Sequence, residues 1–340
     1  RRGALVAIDP ATGGVLAFVS KPGFDPNLFV DGIDPQSWSE LNGSIDKPLL
    51  NRAAAGTYPP GSTFKPYMAL AALFYGKRTP QQAISDPGFY MFGGHRFRDD
   101  KVGGHGMVDM YKSIVVSCDT YYYVLANDLG IDPISRFMAM FGFGSRTGID
   151  IGGESAGILP SSEWKMRRFK QKWYAGETIS VGIGQGYNSY TPLQMASVTG
   201  AVASGKAYKP HLLYKVMDGS ETVEPHKPQL RADLNEHFSD KELEVVRKGM
   251  WKVVNDASGT AKAARIPGVE VAGKTGTAQN WRRDDRGNRL EDNHTLFISF
   301  APYVNAKYAV CILVQGGKSG GGCAAPGSGR RAVARPGCRP

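Results

Sequence analysis

Thr57-Tyr-Pro-Pro-Gly-Ser-Thr-Phe-Lys-Pro66 is the stretch that decides the fold, and it sets Ser62 three residues before Lys65. Pro59 and Pro60 bias the residues before them away from the α region, so no helix can begin before Gly61. Residues 63–75 are rich in helix formers and apolar on all sides. Ser62 is therefore predicted at the start of a buried helix, where free N–H groups and the helix dipole favour negative charge.

The spacing of Ser62 and Lys65 predicts a reactive pair, because residues i and i+3 share one face of a helix. A lysine in apolar surroundings can act as a base on a serine hydroxyl. The alternative is a helix-capping serine with a lysine that reaches out to solvent. A lone Ser-x-x-Lys does not decide between the two.

The composition, with 41% hydrophobic and 21% charged residues among 340, is typical of a globular protein of one or two domains. There is no run of 18 apolar residues and no signal peptide. Because residues 5–8 already have the pattern of a strand, we expect an upstream part. The net charge of +10 comes without the aromatic–basic interleaving typical of nucleic-acid binders. The cysteines form neither a C-x-x-C pair nor a dense disulfide pattern.

Strands are predicted at both ends of the chain, at 4–9, 14–20, 269–279, 295–301 and 308–315. Helices are predicted between them at 107–129 with a break near Ser117, at 134–141, at 193–203 and at 239–255, and one more strand at 208–217. Residues 21–56 are rich in loops, residues 77–106 are predicted as a long ordered loop or a small subdomain, and residues 143–190 are rich in glycine. This order predicts an α+β fold, with an antiparallel sheet assembled from both chain ends and covered by helices.

Two later stretches offer further reactive groups. In Lys274-Thr-Gly-Thr277, a cation and two hydroxyls suit a carboxylate, and Gly276 lets a ligand approach the backbone. Ser117-Cys-Asp119 offers a hydroxyl and a carboxylate at the helix break. Taken alone, the first is equally well an edge strand with a solvated lysine, and the second an ordinary helix cap.

Together, in the order S-x-x-K, S-x-D and K-T-G-T, these stretches resemble the penicilloyl serine transferases. Segments 6–14, 24–29, 58–62, 182–186 and 294–302 are similar to the class B, high-molecular-mass penicillin-binding proteins, above all to the elongation transpeptidases of Gram-negative rods. The resemblance implies a five-stranded antiparallel sheet flanked by helices, plus an all-helical subdomain. The implied transpeptidase domain is 1–322, with its sheet from 4–20 and 269–316 and its helical region from 57–255.

The resemblance also implies a mechanism of acyl transfer. Ser62 would attack the D-Ala–D-Ala bond of a stem peptide while Lys65 takes its proton. Ser117 would relay a proton to the leaving amine, and Asp119 would orient Lys65 and the substrate amide. An amine of a neighbouring stem peptide would then resolve the acyl-enzyme and form a cross-link.

Substrate binding is implied for the K-T-G-T segment. Lys274, Thr275 and Thr277 would hold the terminal carboxylate, with Gly276 allowing close approach, and Lys274 would assist the proton relay. The backbone N–H groups of Ser62 and Thr277 would stabilise the oxyanion.

Partners and location follow from the same resemblance. The expected ligands are a D-Ala–D-Ala donor, a diamino-acid acceptor and β-lactams. The upstream part would carry a membrane anchor and a pedestal domain, would place the enzyme at the periplasmic face of the inner membrane, and would meet a polytopic glycosyltransferase. A β-lactam-sensing domain and a serine β-lactamase are the alternatives, but no deacylating base is evident in the sequence.

A second cluster consists of Asp86, Asp99, His105 and Cys118, with Asp100 as the substitute for Asp99. Two carboxylates, an imidazole and a thiol can complete a tetrahedral zinc site, and a metal on Cys118 would pin the S-x-D motif. The alternative is a buried free cysteine among solvated acids. The resembled group shares these residues and some members bind zinc there, which implies a structural zinc ion.

Three remaining features receive structural expectations. Cys311 is predicted in the core, His294 in the core or at the surface, and residues 281–293 as a solvated hairpin loop. The alternatives are a position near the site for His294 and contact with the substrate for 281–293, which border the K-T-G strand. Residues 323–340 depart from the resemblance, since their glycines and prolines disfavour the long closing helix. They are predicted to form a disordered tail.

Overall fold

The computed structural model describes residues 2–283 and 289–328. Within these ranges the strands, β1 to β15 in chain order, are Gly3–Ile8, Val15–Lys21, Ile84–Asp86, Phe89–Phe92, His95–Arg98, Gly106–Val108, Lys206–Tyr208, Lys215–Asp218, Glu221–Pro225, Leu230–Asp233, Ala272–Ala278, Trp281–Arg283, Arg289–Glu291, His294–Ala301 and Tyr308–Gln315. The α-helices, α1 to α9, are Pro35–Gly43, Lys65–Phe74, Met110–Val115, Asp119–Leu129, Ile131–Met140, Ser162–Phe169, Ala175–Val181, Pro192–Ser204 and Asp240–Asn255.

The central sheet has the order β11-β14-β15-β1-β2 and is antiparallel throughout. Val6 pairs with Cys311 on one side and with Phe18 on the other, which fixes the register between the two chain ends. Val6 and Cys311 are fully buried, so a one-residue slip would expose the core face. The predicted α+β fold with a five-stranded sheet from both chain ends is confirmed, and Cys311 lies in the core as predicted.

The two longest helices pack on this sheet, and both begin with capping residues. In α8, which packs against β1 and β15, the Thr191 hydroxyl accepts from the Gln194 N–H, and the helix ends at left-handed Gly205. In α9, which packs against β11 and α3, Ser239 and Glu242 form the same kind of box. The predictions at 193–203 and 239–255 are confirmed to within one residue. No helix in the described ranges is both long and apolar enough to cross a membrane.

Two predictions of secondary structure need correction. The strand predicted at 208–217 is two short strands, β7 and β8, because Pro210 has no N–H to donate. Helix α1 lies in a region predicted as loop, although Asp34 caps it and Pro35 opens its first turn.

Residues 77–106, where the sequence shows no periodicity, form a small strand-rich unit, in which β3 pairs with β6 and β4 with β5. This unit precedes α3 and α4. The resemblance implied an all-helical subdomain, and these strands correct that expectation. Its β3 contacts α4, the helix that begins at Asp119.

The start of the predicted disordered tail is ordered. Residues Gly320–Ala324 and Ala325–Ser328 form two short helical turns, with Ala324 and Ala325 fully buried. The small apolar side chains of these alanines allow this close packing, which glycine content alone did not predict. Residues 329–340 lie outside the described residues.

Candidate active site

Ser62 lies in a tight turn, Gly61–Phe64, that leads directly into α2. Gly61 has φ +54°, and a β-carbon there would lie 2.8 Å from the carbonyl oxygen of Thr277. A β-carbon on Gly276 would likewise lie 2.7 Å from the carbonyl oxygen of Pro60. The serine turn and β11 are thus in backbone contact, and glycine is required on both sides.

The glycine-rich segment 182–186 supports the same turn from another direction. The Gly61 N–H donates to the carbonyl oxygen of Gly184 at 2.9 Å. Gly184 has φ +73°, and a β-carbon there would meet the Gly61 carbonyl oxygen at 2.2 Å. This segment is therefore a packing partner of the Ser62 turn.

Lys65, the first residue of α2, is fully buried below Ser62. Its Nζ lies 2.5 Å from Oδ1 of Asp119, 2.5 Å from the carbonyl oxygen of Ser117 and 3.2 Å from Ser117 Oγ. The alternative of a lysine that reaches out to solvent is excluded by this burial. The hydrogen bond with Asp119 holds the amine at the base of the site.

Ser117 occupies the break between α3 and α4, as the sequence predicts. It has φ +62°, a left-handed conformation that is uncommon for a residue other than glycine. The Cys118 N–H donates to the Ser113 carbonyl oxygen at 3.1 Å and helps to hold this break. Strained backbone of this kind persists where the surrounding contacts determine it, and here both Ser117 oxygens accept from Lys65.

Lys274, on β11, reaches Ser117 from the other side. Its Nζ lies 2.9 Å from Ser117 Oγ and 3.1 Å from the carbonyl oxygen of Thr275. Burial, reinforced by the charge of Lys65, holds the pKa of Lys274 well below its ordinary value. A lysine with a lowered pKa can exchange protons with the hydroxyl between the two amines.

A cleft of about 400 Å³ opens above these lysines. It is lined by predicted residues from all three motifs, namely Ser62, Ser117, Asp119, Thr275, Gly276 and Thr277. The structure thus brings together every residue predicted for catalysis and substrate binding, with Lys65 and Lys274 buried beneath the cleft floor.

Several lining residues were not predicted for this site: Asp100, Gln185, Thr260, Gln279, Asn293 and 319–321. Thr260 Oγ1 lies 2.9 Å from Thr275 Oγ1, and the Gly320 N–H donates to Thr277 Oγ1 at 3.2 Å. These contacts orient the two threonine hydroxyls. Gln185 lies in the resembled segment 182–186 and three glycines follow Ser319, whereas Thr260 belongs to no motif.

The side chains of Asp99 and Asp100 lie in different surroundings. Asp99 is buried, and its Oδ2 accepts from the Thr120 N–H at 2.8 Å, whereas Asp100 lines the cleft. Desolvation and a hydrogen bond with Asp99 raise the pKa of Asp100 above its ordinary value. The second acid is therefore a cleft residue, and it is not needed as a substitute for Asp99.

The predicted metal ligands also come together. One ligand atom each of Asp86, Asp99, His105 and Cys118 lies within 4.8 Å of all the others. His105 Nδ1 is 2.7 Å from Asp86 Oδ2 and 3.5 Å from Asp99 Oδ1. Cys118 Sγ is 3.4 Å from an oxygen of each aspartate. The expected zinc ligand types and these short separations fit a tetrahedral ion.

His294 and residues 281–293 are the remaining predictions near the site. His294 is buried, its ring lies edge-on to Tyr58 at 5.4 Å, and burial lowers its pKa. It is a core residue, one of the two predicted outcomes. Asn293 lines the cleft, while 284–288, the tip of the predicted hairpin loop, lie outside the described residues.

Known proteins include a family and individual relatives that are similar to this chain. Residues 3–335 match the penicillin binding protein transpeptidase domain, beyond the predicted boundary at 322. The chain is 45% identical over 335 residues to the peptidoglycan D,D-transpeptidase MrdA of Acinetobacter baumannii, covering 95% of this chain and 49% of that protein. It therefore spans about half the length of the curated relatives it matches.

Solved structures of penicillin-binding proteins are also similar to this chain. The fold is similar to PBP2 of Pseudomonas aeruginosa, solved in complex with WCK 5153, with a TM-score of 0.84 and 44% identity over 96% of this chain and 69% of that one. It is also similar to PBP2 of Helicobacter pylori in its complex with MreC, with a TM-score of 0.82 and 35% identity over 94% and 57%. The chain belongs to the penicillin-binding protein transpeptidase family, within its penicillin-binding protein 2 group.

Proposed function

We propose that this chain is a serine D,D-transpeptidase that cross-links peptidoglycan stem peptides and is inhibited by β-lactams. The observation that carries the proposal is the contact of Lys65 and Lys274 with one hydroxyl, that of Ser117, below the cleft that Ser62 lines. The name of the Acinetobacter relative supports the reaction class.

In the acylation step, Ser62 Oγ attacks the carbonyl carbon of the penultimate D-alanine. Lys65 accepts the hydroxyl proton, and Ser117 passes a proton to the amine of the departing D-alanine, assisted by Lys274. Positioned acid–base groups of this kind contribute about 10² to 10⁴ in rate. The reaction breaks the D-Ala–D-Ala amide and leaves an ester on Ser62.

The β11 wall supplies the donor's binding site. The hydroxyls of Thr275 and Thr277 and the amine of Lys274 suit the terminal carboxylate, and backbone N–H groups of Ser62 and Thr277 suit the oxyanion. Losing one oxyanion donor typically costs about 3 to 4 kcal/mol of transition-state stabilisation. Gly276 keeps the wall free of a side chain where the Ser62 turn meets it.

Labelled penicillin tests the acyl-enzyme. We expect a stable adduct on the wild-type chain and none on Ser62→Ala, with Ser20→Ala, a serine of β2, as the control that keeps the adduct. An adduct that survives in Ser62→Ala would refute the proposal. Cross-linking is then followed with a D-Ala–D-Ala donor peptide and a diamino-acid acceptor, with released D-alanine as the second readout.

The same assay separates the alternatives. Rapid loss of the adduct with turnover of penicillin would identify a serine β-lactamase. A lasting adduct without any turnover of the peptide donor would identify a β-lactam sensor. Hydrolysis of the donor without cross-linking would identify a D-Ala–D-Ala carboxypeptidase.

For the cluster behind the S-x-D motif, we propose a structural zinc ion held by Asp86, Asp99, His105 and Cys118. The proposal is supported by two buried aspartates within 3.5 Å of a buried thiol, a set that a divalent cation would neutralise. Four protein ligands leave no open position, so the ion would hold the start of α4 and with it Asp119.

Metal analysis tests this site without an activity assay. We expect about one zinc per wild-type chain and much less in Cys118→Ser. Cys311→Ser is the matched control, since it removes an equally buried thiol from β15. A well-folded wild type that binds no added zinc would contradict the proposal.

The partners and location of the whole protein are also proposals. The relatives' names place them in peptidoglycan synthesis, and PBP2 of Helicobacter pylori was solved with MreC. We place the enzyme at the periplasmic face of the inner membrane, with an elongation glycosyltransferase as partner. Crosslinking of the full-length protein in cells tests both the partner and the location. Crosslinks to cytoplasmic proteins would contradict the proposed location.

A further inference from the structure

Two arginines, Arg96 and Arg98, line a second cavity, which has a volume of about 210 Å³. Both lie on β5 two residues apart, so their side chains share one face of the strand. Phe97, between them, lies on the other face, and its ring packs against that of Tyr123 on α4 at 5.6 Å. The arginine face of β5 is therefore turned away from α4 and toward the cavity.

The two guanidinium groups carry positive charge that no ion pair among the described residues neutralises. Asp99 also lines the cavity, but its side chain is fully buried and its Oδ2 accepts from the Thr120 N–H. The Arg96 guanidinium lies 3.9 Å from the centroid of the Phe89 ring, a contact that favours one position of the group. Arginine stays protonated in proteins, so both charges are present whether or not the neighbouring cluster binds a metal.

This cavity adjoins the catalytic cleft through consecutive residues. Asp99 lines the cavity and Asp100 lines the cleft, and successive α-carbons are about 3.8 Å apart. The Tyr123 hydroxyl of α4 donates to the Arg98 carbonyl oxygen at 3.1 Å, and Asp119, the first residue of α4, lines the cleft as well. The arginine cavity therefore lies on the α4 side of the cleft, whereas β11 forms another wall.

We propose that the Arg96–Arg98 cavity is a subsite for a carboxylate in the upstream part of the donor stem peptide. This inference rests on the proposed transpeptidase function, which places the donor's terminal carboxylate at β11 and its reacting carbonyl at Ser62. The preceding residues of the donor then continue past Ser62 and away from β11. Three extended residues span about 10 Å, so a carboxylate on one of them extends beyond the cleft wall. Two guanidinium groups on one strand face offer the planar, bidentate recognition that suits a carboxylate.

Two D-Ala–D-Ala pentapeptide donors, which differ only in a carboxylate or a carboxamide on the second residue, test the proposal. The wild type should release D-alanine from the acid donor with a higher kcat/KM than from the amide donor. In the double variant Arg96→Gln/Arg98→Gln, we expect this preference to fall about fivefold, the scale of a partly exposed ion pair. Arg96→Lys/Arg98→Lys should retain part of it. Arg167→Gln, which removes an exposed charge from α6, is the control that keeps the full preference.

Two further readouts separate charge from structure. The amide donor and labelled penicillin lack the carboxylate in question, so they should react alike with the wild type and with the glutamine double variant. Added salt should lower the preference of the wild type and leave that of the double variant unchanged, because screening weakens only the charged contact.

The outcomes distinguish this inference from the proposed function. If neither donor nor penicillin reacts with the wild type, the proposed function itself fails. If the wild type uses both donors equally, or if the double variant keeps the preference, the role of the cavity is refuted while the function stands. If the amide donor loses as much rate as the acid donor, the arginines act through structure, and the subsite is refuted as well. A preference that appears only when the carboxylate is on the acceptor would overturn the assignment to the donor.

Discussion

The amine nitrogen of Lys274 lies 2.9 Å from the hydroxyl oxygen of Ser117, although 157 residues separate them in the chain. The amine of Lys65 approaches the same oxygen at 3.2 Å. One hydroxyl thus joins two buried lysines from different elements, α2 and β11. This arrangement provides a continuous path for a proton between the S-x-x-K and K-T-G segments.

Replacing Lys65 tests the proposed base. In Lys65→Met, we expect the second-order rate of acylation by penicillin to fall about 10² to 10⁴-fold, since the positioned proton acceptor is lost. Lys77→Met, an exposed lysine just beyond α2, should react as the wild type does. Fluorescent-penicillin kinetics at matched folded protein give the measurement. Unchanged acylation in Lys65→Met would show that another group takes the Ser62 proton.

Lys274 links stability to pH. Its pKa in the fold lies well below its ordinary value, so at pH values between the two the unfolded chain binds a proton that the folded chain lacks. Stability attributable to this group therefore rises with pH, by up to about 1.4 kcal/mol per pH unit, and levels off near the ordinary pKa of about 10.4.

Lys274→Met should remove that rise and be at least as stable as the wild type at neutral pH, while its acylation by penicillin falls. Urea unfolding over a pH series measures the difference, with Lys215→Met on exposed β8 as the control. A variant that keeps the wild-type pH slope would show that Lys274 is not the group responsible.

Gly61→Ala and Gly76→Ala form a matched pair at the two ends of the Ser62 turn and α2. Both glycines have positive φ, +54° and +61°, so each alanine incurs backbone strain of about 1 kcal/mol. Only at Gly61 would the new β-carbon meet a backbone oxygen, at 2.8 Å, whereas Gly76 has open space.

We therefore expect Gly76→Ala to be mildly destabilised and fully reactive with penicillin. Gly61→Ala should be destabilised further and lose most of its acylation rate, because the Ser62 turn must move away from β11. Thermal unfolding measures the stability of the two variants, and acylation kinetics measure their reactivity with penicillin. Equal reactivity of the two variants would mean that close contact between the turn and β11 is unnecessary.

Chelation should destabilise the chain through the cluster at Cys118. We expect a strong zinc chelator to lower the wild-type unfolding temperature by several degrees, and readdition of zinc to restore it. Cys118→Ser should already have the lowered unfolding temperature and should not change with chelator or zinc. Cys311→Ser should respond to both as the wild type does. A wild-type protein indifferent to the chelator would contradict a structural metal.

Local sequence patterns were sufficient to predict most of the fold. The β1–β2 turn, the break at Ser117 and the caps of α8 and α9 follow from residues close in sequence. A small subdomain was one of the two expectations for 77–106, but its strands were not predicted, because long-range partners decide them. The strands in 77–106 depend on the pairing of β3 with β6, which are distant in the chain. Ala324 and Ala325 are buried because they pack against the assembled sheet.

The same distinction between local sequence and long-range contacts applies to the candidate site. By itself the sequence determined which residue types are available, because S-x-x-K, S-x-D and K-T-G-T are contiguous motifs. Only the tertiary structure decided that both lysines are fully buried and share Ser117, and that Asp99 lies with Asp86, His105 and Cys118 while Asp100 lines the cleft. Burial and approach across the sheet depend on contacts between segments that are far apart in the chain, and no local pattern encodes them.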